Sequence, residues 1–233
     1  MNGGGDNVFE HSDLRNRVRM FRDRAHAGQI LADMLRSYRA SDALVLAIPA
    51  GGVPVAAAIA RALELPLDVA VVSKITLPWN TESGYGAVAF DGNVRLNENL
   101  VAALALGDAV VQEGIARTKA KVGGRVARLR GDRPFPELKR RSAILVDDGL
   151  ASGFTMRAAV EAVRSRGAER IVVAVPTGHA ESVRRIAAAV EALYCANIRE
   201  GHSFAVADAY EHWVDVEEQT AVRMLEAARA ATV

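Results

Sequence analysis

Two adjacent carboxylates, Asp147 and Asp148, end the apolar run SAILV, and the residues after them, GLASGFT, are small or hydroxylated and open onto a helix-forming stretch. Neighbouring carboxylates accept hydrogen bonds from vicinal hydroxyls and attract a divalent cation. The peptide N–H groups of a helix start, joined by the hydroxyls of Ser152 and Thr155, form a pocket suited to a phosphomonoester, and Gly153 lets the backbone approach closely. Acids beside a phosphate repel it unless the two halves of the loop address different parts of one ligand. A sugar phosphate with free hydroxyls and bound Mg²⁺ satisfies both halves; the plainer alternative is that the two acids only cap the following turn.

Such a loop needs a strand that ends, and a helix that begins, at one edge of a sheet. The chain supplies that pattern repeatedly. ALVLAI reads as a buried strand, PAGGV as a glycine turn, and PVAAAIARALEL as a helix with Pro54 in its first turn. LDVAVVS reads as a second strand, followed by the polar, turn-rich KITLPWNTESGYG. From Gly86, two β-like runs flank Asp91-Gly92, a hairpin signal that predicts a projecting ribbon. The stretch ENLVAALALGDAVVQEGIARTKAKVGGRVARLRG predicts helix interrupted at Gly107 and again at Gly123-Gly124. Its Arg117, Lys119, Lys121, Arg125, Arg128 and Arg130 form either a surface for an anionic ligand or a solvated helix face. Strand SAILV, a helix from about Thr155 to Arg166 stopped by Gly167, strand RIVVAV and a helix from about Glu181 to Val190 follow. Ahead of all this, Ser12 or Asp13 caps an amphipathic helix carrying Ile30, Leu31, Met34, Leu35 and Tyr38. Strands that are apolar throughout and alternate with helices predict an α/β fold with a parallel central sheet covered on both faces.

Composition narrows the function. The 233 residues carry 29 basic and 28 acidic side chains, which speaks against a dedicated nucleic-acid binder. The single cysteine, Cys195, excludes an internal disulfide framework and multi-cysteine zinc sites, and within EALYCA it reads as a buried thiol. The five histidines show no metal-ligand spacing. The opening MNGGGDNVFEHSD is polar and glycine-rich, a mobile start without the apolar segment of a signal peptide, and no run of about eighteen apolar residues occurs; the expected location is the cytoplasm. Neither G-x-G-x-x-G after the first core strand nor G-x-x-x-x-G-K-[ST] is present, which argues against a Rossmann dehydrogenase and a P-loop NTPase.

ILVDDGLASGFT resembles the signature of the type I phosphoribosyltransferases, which bind 5-phosphoribosyl-1-pyrophosphate (PRPP). FRDRAHAGQILADML, LAIPAGGVPVAAAIA, LDVAVVSKITLPWNTESGYGAVAFDG and DAYEHWVDVEEQTAVRML are similar to the predicted phosphoribosyltransferases of bacteria and archaea, so that the resemblance runs from about Met20 to Leu225. It implies a type I phosphoribosyltransferase-like fold in one domain, 1–233. The core would span about 40–195, with hood and lid segments at about 1–39, 76–96 and 196–233. Asp147 and Asp148 would hold the ribose hydroxyls and, indirectly through PRPP, Mg²⁺, while Ala151, Ser152, Gly153, Phe154 and Thr155 would hold the 5-phosphate. Ala50, Gly51 and Gly52, with Lys74, would meet the pyrophosphate; many relatives have arginine where this chain has Ala50. The segment Thr76–Asn93 would close over PRPP as a flexible β-ribbon, with Trp79 and Tyr85 covering the ligand. Tyr210, His212 and Trp213 would face the acceptor, and His179 is a general-base candidate. Ala151 stands where hypoxanthine and guanine enzymes carry an acid and adenine enzymes an alanine, which disfavours the first two acceptors.

The resulting expectation is an Mg²⁺-dependent transfer of the phosphoribosyl group of PRPP to a nitrogen acceptor, a nucleobase-like heterocycle, with release of pyrophosphate. The alternative is a PRPP- or nucleotide-sensing regulator on the same fold. No stable nucleic-acid complex and no membrane association are expected, and by resemblance the chain forms a homodimer.

Overall fold

The computed structural model describes residues 7–201 and 203–230, with the side chains of 81 and 82 set aside. Residues 1–6, the first part of the expected mobile start, lie outside the described residues.

In chain order the strands are β1 (Val8–Glu10), β2 (Leu44–Ala47), β3 (Leu67–Val69), β4 (Val72–Leu77), β5 (Asn80–Ala89), β6 (Val94–Leu96), β7 (Ser142–Val146), β8 (Arg170–His179) and β9 (Ala192–Arg199). The helices are α1 (Arg24–Met34), α2 (Gly52–Leu63), α3 (Glu98–Ala103), α4 (Asp108–Arg130), α5 (Phe154–Ser165), α6 (Ala180–Ala187) and α7 (Glu218–Ala230). Six strands form one sheet in the order β1-β9-β8-β7-β2-β3, with every pairing parallel. The expected parallel sheet with helices on both faces is therefore present. Alternation of side chains along each strand explains the two layers. Val45, Ala47, Ile144 and Val146 enter a core with α1 and α2, whereas Leu44, Leu46, Ala143 and Leu145 enter another with α5 and α6. Fully burying each leucine or valine contributes roughly 1.5–3 kcal/mol, so these short strands are specified by what they bury. Cys195 is wholly buried on β9, as its apolar surroundings suggested; burial pushes its thiol well above the usual range.

β4, β5 and β6 form a separate antiparallel sheet. The run LDVAVVS, expected as one strand, is thus shared between two sheets. Ala70 N–H makes the last bond to β2, on Ala47 O at 2.9 Å, and from Val72 the chain pairs with β5 instead. Uniform apolarity hides such a change of partner. The hairpin around Asp91-Gly92 is present, with Gly92 at φ 86°. Its body does not project, however, because Tyr85, Ala87, Val88 and Ala89 are buried.

Other expectations also need correction. Ser12 belongs to a single 3-10 turn, since Asn16 and Arg19 adopt positive φ (59° and 53°) and prevent a helix there. Asp23 caps the first helix instead, accepting the N–H of His26 at 2.8 Å, and Tyr38 falls in a 3-10 turn beyond its end. Helix α4 begins after Gly107 but continues through Gly123-Gly124. Each glycine costs about 1 kcal/mol in a helix interior, and here buried Val122 and Leu129 and the Arg125–Glu218 ion pair (2.7 Å) hold the segment. Arg128, although exposed, also pairs with Glu218, and Arg130 is buried against Asp68 at 3.1 Å; Arg117, Lys119 and Lys121 are exposed as well. β1 was not anticipated. Among the described residues, no helix is long and apolar enough to cross a membrane.

Residues 19–22 and 208–212 meet at the C-terminal edge of the sheet. Phe21 N–H donates to Ala209 O (3.0 Å), Glu211 N–H to Phe21 O (2.8 Å) and His212 N–H to Arg22 O (3.0 Å).

Candidate active site

β2 and β7 are neighbours, with Ala47 beside Val146, so the turns that leave them emerge together. Ile48 N–H donates to Val146 O at 2.8 Å, extending the ladder to the point where the chains diverge. Beyond it, the turn Pro49–Gly52 lies directly against the acid pair. A Cβ on Gly52 would stand 2.6 Å from Val146 O and 3.0 Å from the Asp147 Cα, and a Cβ on Gly51 would collide with the Asp148 carboxylate. Close approach therefore requires these glycines, since Gly51 itself has φ −59°. The Gly52 N–H donates to Ile48 O at 3.0 Å, so it is spent inside the turn and does not face outward. The Pro49–Ala50 peptide is cis, and the half-buried Ala50 packs on the core.

The acid loop is fastened on its other side to β8. Leu150 N–H donates to Thr177 O (2.8 Å) and His179 N–H to Leu150 O (3.0 Å). The Ser182 hydroxyl of α6 donates to Ala151 O (2.5 Å), and Arg185 donates to Ser152 O (3.3 Å). Gly153, at φ 72°, turns the chain into α5. The Phe154 N–H meets the Ser152 hydroxyl oxygen at 3.4 Å. Ala151 and Ser152 are exposed, while Phe154 and Thr155 are half-buried at the helix start. These five residues thus form one strand-to-helix turn with the positive end of α5 behind it.

The two acids are differently placed. Asp147 Oδ1 accepts the N–H of Asp148 at 2.9 Å; burial, and then the neighbouring Asp148 charge, hold its carboxyl well above the usual range. Asp148 is also raised by burial, but Arg24 opposes the shift, donating Nε–H to Asp148 Oδ2 at 2.9 Å. Arg24 was not among the residues expected at the site. Its signal was its spacing: Arg24, Ala27, Gly28 and Leu31 share the buried stripe of α1, so a guanidinium there faces inward.

The expected acceptor residues separate. Tyr210 is 3 % exposed, and its hydroxyl donates to the Asp148 carbonyl oxygen at 2.6 Å. It buttresses the acid loop and offers no open ring face. Trp213 is 36 % exposed and lies with its ring centroid 3.8 Å from the Arg24 guanidinium carbon, while the His212 side chain is exposed. Tyr85 is 1 % exposed, its hydroxyl meeting Val110 O at 3.4 Å, and therefore covers no ligand; Trp79, at the turn between β4 and β5, is exposed. Lys74 is an exposed residue of β4 opposite Ala87, not the end of a strand in the parallel sheet. His179 ends β8, its Nε2 donating to Gly201 O at 3.0 Å and its ring edge-on to Phe204. Among the described residues, no group of three or more His, Cys, Asp or Glu side chains is placed to hold a metal ion.

Tyr210→Phe tests the buttress. Loss of one hydrogen bond should cost about 1 kcal/mol. That corresponds to a fall of about 2–4 °C in melting temperature by calorimetry.

Parallel strands, a glycine turn pressed on an acid pair, and a phosphate-type turn at a helix start describe a recognisable class. The profile of the phosphoribosyl transferase domain matches residues 24–207, and the chain belongs to that family. It is 35 % identical over 212 residues to presumptive phosphoribosyl transferases from two strains of Mycobacterium tuberculosis, covering 91 % of this chain but 47 % of theirs. The chain thus spans about half the length of these curated relatives. Among solved structures it is similar to TT1426 from Thermus thermophilus, at 36 % identity and TM-score 0.70, covering 88 % of this chain and 97 % of that one.

Proposed function

We propose that the protein transfers the phosphoribosyl group of PRPP to a nitrogen acceptor, a nucleobase-like heterocycle, releasing pyrophosphate. The observation that carries this reading is the contact between the Gly51-Gly52 turn and the Asp147-Asp148 pair, beside the turn that opens α5. Asp147 and Asp148 accept the ribose hydroxyls, residues 151–155 receive the 5-phosphate, and the 49–52 turn with Lys74 receives the pyrophosphate. In the reaction, the acceptor nitrogen's lone pair forms a bond to ribose C1 as the C1–O bond breaks; that electron pair leaves with pyrophosphate, and the acceptor's proton passes to solvent or a base.

Two carboxylates with no third His, Cys, Asp or Glu grouped with them among the described residues fit a cation that arrives with the ligand's own oxygens, as Mg²⁺ commonly does. When bound, it would neutralise charge on the departing pyrophosphate. The residues themselves orient the sugar and restrict water around C1.

Titration calorimetry of PRPP with and without Mg²⁺ tests the proposal, followed by assay of pyrophosphate release with candidate heterocycles. Metal-enhanced binding with release supports it, whereas no binding would overturn it. Binding without release under any acceptor would favour a PRPP sensor on this fold. Lys74→Ala is expected to lower turnover roughly 10²-fold while changing PRPP affinity far less. An unchanged rate would remove Lys74 from the mechanism.

A further inference from the structure

Arg24 belongs to none of the segments given a part in the proposed reaction, yet it touches the acid pair and the later part of the chain at once. Its Nε–H donates to Asp148 Oδ2 (2.9 Å), its Nη1–H donates to the Val214 carbonyl (2.7 Å), and the guanidinium carbon lies 3.8 Å from the Trp213 ring centroid and 5.8 Å from that of Tyr210. The circuit closes where the Tyr210 hydroxyl donates to the Asp148 carbonyl at 2.6 Å. Arg24 is 7 % exposed. A buried cation is a costly way to fasten a helix to a loop, because apolar residues of similar volume do so at least as well. What an arginine adds is direction: two donors in a fixed plane, with a flat face to stack. Here that plane sets one side of the Asp148 carboxylate, and the backbone of Gly51 abuts it.

We propose that Arg24 is a positioning residue of the site: it fixes the orientation in which Asp148 meets a ribose hydroxyl, and it transmits that orientation to the Trp213-Val214 segment. Occupancy of the acid pair is consequently registered at the indole. The ligand-dependent half of this inference rests on the PRPP reading above; the path from Asp148 through Arg24 to Trp213 rests on geometry alone.

The protein holds two tryptophans, so fluorotryptophan labelling gives two fluorine resonances, assigned with Trp79→Phe. In the absence of ligand, Asp148→Asn should move the Trp213 resonance in protein that retains Arg24 and leave it in place in an Arg24→Gln background. On titration with PRPP, the Trp213 resonance of the wild type should shift. Arg24→Gln should bind PRPP roughly tenfold more weakly and lose that shift. Arg24→Lys keeps the charge but has neither the fork nor the flat face, and should recover affinity to within about threefold without recovering the shift. A Trp213 resonance indifferent to Asp148→Asn in ligand-free protein would overturn the coupling. Equal loss of affinity in the Gln and Lys variants with the Trp213 shift intact would reduce Arg24 to a scaffold residue and also overturn it. If wild-type protein fails to bind PRPP, the functional reading falls alone, and the ligand-free comparison still decides the role of Arg24. Should Arg24→Gln not fold, the Asp148→Asn and Arg24→Lys measurements stand without it.

Discussion

Asp147→Asn and Asp148→Asn are each expected to weaken PRPP binding by roughly ten- to a hundredfold, the range for losing a hydrogen bond to a charged acceptor, while moving the melting temperature in opposite directions. Asp147 is half-buried, and its carboxyl is raised by desolvation and by the Asp148 charge. Its folded-state value lies above its unfolded one, so between the two the folded protein binds more protons, and stability falls as pH rises through that window. At neutral pH the asparagine removes this penalty and can still accept the Asp148 N–H. A gain of about 1 kcal/mol is expected, as for other substitutions that relieve functional sites. Asp148 differs because its removal leaves the Arg24 guanidinium, buried and directly bonded to it, without its paired carboxylate. Burial outweighs Arg24 in setting the Asp148 carboxyl, but the cost of stranding Arg24 is additional to that titration. A loss of about 1–3 kcal/mol should follow. Calorimetric melting and PRPP titration of both variants decide the matter. Unchanged affinity in both would refute the ribose assignment, and melting shifts of the same sign would refute the account of the pair.

The second large effect concerns the glycine turn. A Cβ on Gly52 meets backbone, Val146 O at 2.6 Å and the Asp147 Cα at 3.0 Å, and neither can rotate away. Gly52→Ala should therefore destabilise the fold by about 3 kcal/mol, the upper part of the range for overpacking. The melting temperature should fall by about 6–12 °C. At Gly51 the obstacle is the Asp148 side chain, which can move, but only by leaving the position that Arg24 holds. Gly51→Ala should thus cost about 1–3 kcal/mol, as for parting Asp148 from Arg24, and lower turnover roughly 10²-fold, comparable to removing a preorganised donor. Wild-type turnover in Gly51→Ala would show that the position of Asp148 is immaterial to the reaction.

Most of the parallel sheet was legible because each strand is apolar throughout and is bounded by a glycine turn, an acid loop or a helix. The acid loop itself was legible from residue type and order, and Pro54 and Gly167 fell where a helix start and stop require them. Less could be read where the same composition serves two partners. LDVAVVS is equally apolar on either side of the point where it changes sheets, and Tyr85, in a polar stretch, shows no sign that α4 will bury it. Gly123-Gly124 reads as a break because local propensity knows nothing of the packing and ion pairs that keep α4 continuous. Arg24 was hidden by its charge, which suggests solvent, although its register with Ala27, Gly28 and Leu31 points inward. Tyr210 and Trp213 were noticed as aromatics, but only three dimensions reveal that one braces the acid loop and the other lies against Arg24.

The pairing of β1 with β9, and of residues 19–22 with 208–212, has a consequence for the growing polypeptide. Chains emerge from the ribosome at about 5–20 residues per second, so Val8–Glu10 waits roughly 10–40 s before Leu193–Cys195 exists to receive it. By then β2, β7 and α5 are already made, and the acid pair stands on its own edge of the sheet without Tyr210 beneath it or Val214 across from Arg24. The nascent molecule therefore passes through an interval in which the acid pair and Arg24 have been synthesised and their cover has not. Closing that gap relies on contacts between segments nearly two hundred residues apart, the kind that form late and slowly.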